Sequence, residues 1–124
     1  MNLLLDSHVV LRWLSDALEL SPRVCGAIAD PSNTIFLSVA RIRECRIKQS
    51  LQKLELPKNF KEVLDDQPFL FLPILAEHAH EVVKLPDHHR DPFDRILIAQ
   101  ALSESLAIAT SDSIFARYDV SLVL

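Results

Sequence analysis

Short apolar runs alternate with longer stretches of mixed polarity along the chain. Leu3-Leu4-Leu5 is a continuous apolar run that stops at Asp6, the pattern of a buried strand with a carboxylate at its C-terminal end. Residues 7–14 read as a short helix with Trp13 and Leu14 on its apolar side. Ser21-Pro22 puts a capping hydroxyl before a proline suited to the first helical position, which predicts a helix to about residue 29, closed by the turn Asp30-Pro31-Ser32-Asn33. Residues 34–37 are β-branched or aromatic apart from Leu37 and predict a second strand. Ser38 is placed to cap a helix reaching about residue 51, and Leu56-Pro57 begins another that reaches about residue 65. A third strand over 69–72 and a helix over 76–84 follow. The polar loop 85–90 leads into Asp91-Pro92, which opens a strong helix to about residue 104. The chain closes with a strand over 106–110, a helical turn over 112–117 and a strand over 120–123.

Strands that alternate with helices predict an α/β fold, with a parallel sheet of about five strands covered by helices on both faces. A chain of 124 residues fits one domain, 1–124, and its 49% apolar content is enough for a sizeable core. Glycine narrows the function classes sharply, because Gly26 is the only one. No GxxxxGK phosphate loop, GxGxxG dinucleotide turn or GxSxG nucleophile elbow can exist. The formal net charge of −4 argues against gripping nucleic acid by total charge and leaves a local basic face open. Cys25 and Cys45 lie in no metal or redox spacing and read as reduced core thiols. The leucine run is too short for a signal peptide, and no stretch approaches the about 18 apolar residues of a membrane span, so a cytoplasmic protein is expected.

In an open parallel sheet, ligands bind outside the carboxyl ends of the strands. The first strand ends at Asp6 and the fourth at Thr110-Ser111-Asp112. Glu44 lies about two turns into the helix after the second strand, and Asp91 and Asp94 occupy the first turn of the long helix. If the helix starts share that edge, these acids converge. Converging carboxylates repel one another and resist desolvation, and a divalent cation is the usual remedy. Oxygen-only ligands point to Mg²⁺ or Mn²⁺ rather than zinc, and such an ion suits phosphodiester hydrolysis. Each acid also has a plainer account. Asp6 and Asp112 can cap helices, Glu44 can pair with Lys48 on a solvated face, and Asp91 and Asp94 are favoured by a helix N-terminus.

The motifs resemble those of PIN-domain proteins, in particular the VapC-type toxin ribonucleases. Leu4-Leu5-Asp6-Ser7-His8 is similar to the L-L-D-T-H start of that group, with Ser7 for the usual Thr. Glu44 with Ile47-Lys48 resembles its W-E-I-A-I-K segment, and residues 88–101 resemble its H-R-D-P-F-D-R-L-L-I-A-Q-A signature. Thr110-Ser111-Asp112 with Phe115 resembles its T-x-D-x-x-F ending. The resemblance covers the chain end to end. It implies a three-layer α/β/α fold and an Mg²⁺- or Mn²⁺-dependent endoribonuclease, the toxin of a type II toxin–antitoxin pair. It also implies a homodimer and a cognate antitoxin partner. By position, Asp6, Glu44, Asp94 and Asp112 match the acidic metal-binding set. Ser7 matches the hydroxyl that orients the first carboxylate or a metal-bound water. Asp91 is a secondary candidate for that set, expected first of all to be a helix-start residue.

The segment around Glu44 departs from the family pattern. Arg43 stands where Trp is common, and Arg41, Cys45 and Arg46 replace small or apolar residues. The three arginines can reorient Glu44, pair with it, contact RNA phosphates, or mark a changed helix surface at a protein contact. They sustain an alternative reading, a catalytically impaired PIN-fold module that works through protein contacts. A metal-dependent phosphatase is disfavoured, because its D-x-D pair would need an acid at His8. His8, His78, His80, His88 and His89 have no metal-site spacing and are expected to be structural or solvated.

Overall fold

Five parallel strands carry the structure: β1 (Asn2–Leu5), β2 (Thr34–Ser38), β3 (Phe69–Leu72), β4 (Ala107–Ala109) and β5 (Leu122–Val123). Six helices connect them: α1 (Ser7–Ser15), α2 (Pro22–Ala29), α3 (Val39–Ser50), α4 (Phe60–Asp65), α5 (Ala76–Glu81) and α6 (Pro92–Glu104). The computed structural model describes residues 1–124 and orders the sheet β3-β2-β1-β4-β5. The chain lays its first three strands outward in one direction, then returns to the other side of β1. The order therefore reverses between β1 and β4, and a crevice is expected outside their carboxyl ends.

Alternation along β1 splits the core in two. Leu3 and Leu5 join Val9, Val10, Val24, Ile28, Cys45 and Phe60, which places α1, α2 and α4 on one face. Leu4 points the other way, into Leu97, Ile98, Ala101 and Phe115, so α6 covers the second face. All three β1 leucines are fully buried, as a central strand of a doubly covered sheet requires.

Two helices are shorter than their sequence pattern. The Phe60 N–H bonds back to the Pro57 carbonyl in a tight turn, so α4 starts at Phe60 rather than Pro57. After Glu81, α5 tightens into a 3₁₀ turn over Val82–Lys84. The final helical turn is likewise a 3₁₀ segment, Ser113–Arg117.

A polar tie sets α3 against α6. Ser38 ends β2 and caps α3, its Oγ accepting from the Ala40 N–H at 3.1 Å while its hydroxyl donates to Gln100 Oε1 at 2.6 Å. Gln100, fully buried on α6, passes the connection on through Nε2 to the Pro73 carbonyl at 3.2 Å. The start of α3 is thereby tied to the third turn of α6.

Candidate active site

Asp6 follows β1 directly. Its Oδ1 accepts from the Ser7 N–H at 2.8 Å, the N-terminal cap of α1, and its Oδ2 accepts from the Thr110 hydroxyl at 2.8 Å. Glu44 sits on the second turn of α3 and is buried, not on the solvated face that its pairing with Lys48 alone would suggest. Asp94 lies in the first turn of α6. Three acids from three separate elements thus meet at one sheet edge, and between them stands a guanidinium.

Arg41 is 1% exposed. Its Nη1 donates to Glu44 Oε1 at 2.7 Å, and its Nη2 reaches Asp6 Oδ1 at 2.8 Å and Asp94 Oδ1 at 2.9 Å. Burial opposes its charge, yet Asp6, Glu44 and Asp94 together raise its pKa above the usual arginine value. Its Nε–H is buried without an acceptor. Lys48 closes the other side of Glu44, with Nζ 2.8 Å from Oε2. Burial pushes the Glu44 pKa up, but Lys48 and Arg41 outweigh it and hold this carboxyl below its ordinary value. Asp94 goes the other way: burial raises its pKa despite the bonds from Arg41 and His89.

His89 contributes what sequence reasoning missed. Its Nε2 donates to Asp94 Oδ2 at 3.1 Å, and its Nδ1 lies 2.7 Å from the Tyr118 hydroxyl. Arg95 Nη1 donates to the same phenolic oxygen at 3.2 Å. The only signal was position, since His89 lies five residues before Asp94 in the signature loop. Its function-bearing contact needs Tyr118, 29 residues away.

The other expected residues fall around this centre. Asp91 caps α6, its Oδ1 accepting from Phe93 N–H at 2.9 Å and Asp94 N–H at 3.0 Å, with Pro92 at the first helical position. Asp112 is exposed and stays outside the bonded set; its side chain caps the 3₁₀ turn through the Ile114 N–H at 3.0 Å. Its backbone N–H donates to Thr110 Oγ1, one hydroxyl away from Asp6. Buried Ser7 and exposed His8 line a cavity of about 230 Å³ together with Glu44, Cys45, Lys48 and Lys53. Of the three unusual arginines, Arg41 pairs with Glu44, Arg43 is exposed, and Arg46 lies 5.2 Å from the Phe60 ring centre.

Hard oxygen donors suit Mg²⁺ or Mn²⁺. As arranged, however, each of the six oxygens of Asp6, Glu44 and Asp94 already accepts a hydrogen bond or ion pair. Three carboxylates against Arg41 and Lys48 leave a formal charge of −1. The trio does not fit a divalent ion while Arg41 is seated there. Glu77, His78 and Glu104 also bring ligand-type atoms within 4.8 Å of one another. There the His78 Nδ1 accepts from the Leu75 N–H and Nε2–H donates to Glu104, so neither ring nitrogen has a lone pair to offer.

Comparison with solved structures finds the same fold in several proteins. The chain superposes on a structure described as VapBC2 from Rickettsia felis bound to a DNA fragment from their promoter, with TM-score 0.74, 14% identity, and 98% of this chain and 97% of that one covered. It is similar to FitAcB from Neisseria gonorrhoeae, with TM-score 0.67, 22% identity, and coverage of 98% and 96%. It is also similar to VapBC-5 of Mycobacterium tuberculosis, with TM-score 0.61, 20% identity, and coverage of 98% and 97%. Among curated protein sequences none matches significantly. The PIN domain profile matches residues 3–121, nearly the whole chain and every element of the acidic centre, and the chain belongs to the PIN domain family.

Proposed function

We propose that this chain is a nuclease-type PIN toxin whose acidic centre of Asp6, Glu44 and Asp94 acts on RNA phosphodiester bonds. One observation carries the reading: three carboxylates separated by 38 and 50 residues in sequence are brought together and desolvated at the reversal point of the sheet. Burying ion pairs is a poor route to stability compared with apolar packing, so such a cluster points to chemistry rather than to scaffolding. The basic side chains of Lys48 and Lys53 beside the cavity, with exposed Arg43 on the same helix as Glu44, suit RNA phosphates.

Mg²⁺ or Mn²⁺, when bound, would supply Lewis acidity and a water of lowered pKa. The chain's own residues do the positioning. Thr110 and the Ser7 N–H fix the Asp6 carboxylate, His89 with Tyr118 fixes Asp94, and Lys48 fixes Glu44. Asp112, whose backbone N–H bonds the Thr110 hydroxyl that holds Asp6, is the fourth acid of the proposed set, and Ser7 lines the cavity wall.

Arg41 favours a second reading, a PIN-fold module that is catalytically impaired and works through protein contacts, such as with an antitoxin. Cleavage of single-stranded RNA by the wild type and by Asp94→Asn, with Mn²⁺ and with excess EDTA, separates the two. Mn²⁺-dependent cleavage lost in Asp94→Asn supports the nuclease. Cleavage that persists in EDTA removes the metal mechanism, and no cleavage by wild type or by Arg41→Ala leaves the binding module. A homodimer is proposed on family grounds, and light scattering that finds only monomer at high concentration would remove it.

A further inference from the structure

The seat shared by the three acids is filled by a cation from the chain's own helix. We propose that Arg41 is an internal counter-ion in this seat, so that the Arg41 guanidinium and a divalent metal ion occupy it in mutual exclusion. The inference rests on reading Asp6, Glu44 and Asp94 as a nuclease centre, and adds what holds that centre in a metal-free resting state.

Three observations carry it. The guanidinium takes one oxygen from each acid, at 2.7, 2.8 and 2.9 Å, so its positive charge sits where the three carboxylates converge. The remaining oxygens are held by Lys48, His89 and Thr110, so every carboxylate oxygen of the three acids already has a donor. The third is the orphaned Nε–H of Arg41. An arginine kept as a structural cross-link would be expected to satisfy all its donors once buried. Here only the two terminal nitrogens are bonded, and all of their partners are the acids themselves. The head group is therefore retained by those carboxylates alone, and a competitor for them displaces it.

Mn²⁺ titrations of the EDTA-stripped full-length chain test this by calorimetry and by thermal melting. Arg41→Ala should bind Mn²⁺ about a hundredfold or more tighter than wild type, because the ion no longer has to displace a guanidinium from the seat. Its melting temperature should climb with Mn²⁺ concentration while that of the wild type stays flat. Millimolar guanidinium, too dilute to denature, should compete with Mn²⁺ in Arg41→Ala alone. Where Arg41→Ala folds only on adding Mn²⁺, that is the expected behaviour of an uncompensated site. Arg41→Gln, neutral and of similar size, then supplies the affinity comparison. Equal Mn²⁺ affinity in wild type and variant overturns the role of Arg41 while leaving the nuclease reading standing. Two folded proteins that both ignore Mn²⁺ overturn that reading, and this inference with it.

Discussion

The first turn of α6 carries two aspartates that should respond oppositely to neutralisation. Asp91 is exposed and caps the helix with two N–H bonds at 2.9 and 3.0 Å. Asp91→Ala loses both and should cost about 0.5–2 kcal/mol, the range for a lost N-cap. For a chain of this length that is a fall of about 2–8 °C in melting temperature. Asp94→Asn removes a charge that burial disfavours. The asparagine oxygen can still accept from Arg41, and Arg41 keeps Asp6 and Glu44, so no buried charge is stranded. The formal charge of the cluster moves from −1 to zero. The lost acceptor for His89 costs about 0.5–1.5 kcal/mol and the relieved desolvation offsets it, which leaves Asp94→Asn within about 1 kcal/mol of wild type. The pH dependence follows from the raised pKa of Asp94. Its folded pKa lies above the unfolded one, so the penalty is absent below the unfolded value, grows as pH rises through the folded value, and is constant above it. Asp94→Asn should therefore gain on wild type as pH rises across that window. Melts of both variants over the acid-to-neutral range decide the matter. An Asp94→Asn variant that melts below Asp91→Ala at neutral pH, or that loses ground as pH rises, refutes the account of this turn.

The Ser38→Ala substitution removes the cap of α3 and strands the buried Gln100 oxygen, and urea unfolding should show a loss of about 1–3 kcal/mol. Replacing Tyr118 by Phe deletes the hydroxyl that holds His89 and receives Arg95; stability should drop by about 1 kcal/mol and the His89 ring resonances should broaden in NMR spectra. Burial lifts the Cys45 thiol to about 11, so a thiol reagent at neutral pH should label Cys25 in the native protein and Cys45 only after unfolding.

The layout of the sheet was readable because its signals are local. The Leu3–Leu5 run, the Ser21-Pro22 and Asp91-Pro92 starts, and the apolar residues before Thr110 each act within one element. The misjudged starts and ends, such as that of α4, depended on one backbone bond back to Pro57 that no side-chain pattern encodes. Asp6, Glu44 and Asp94 were legible from strand ends and from the signature residues around them. Arg41 was legible only as a departure. Its sole local clue is the i,i+3 spacing to Glu44, and an arginine on a helix ordinarily reads as surface. Its burial depends on Asp6 and Asp94, which reach it from 35 and 53 residues away. Asp112 illustrates the reverse, a residue that fits the pattern by position while its side chain is spent on a local turn.

The place of β1 in the middle of the sheet has a consequence for synthesis. β1 pairs on one side with β2, the next strand to be made, and on the other with β4, which is made only after β2 and β3. Asp6 gains its bond to the Thr110 hydroxyl across 104 residues, and contacts of such separation close late in folding. A nascent chain lacking β4 can carry Asp6, Glu44, Asp94 and Arg41 and still have no completed centre. The activity proposed for the centre is thus postponed until β4 and Thr110 have been made. That interval is one in which a partner already present in the cell could meet the chain before it is armed.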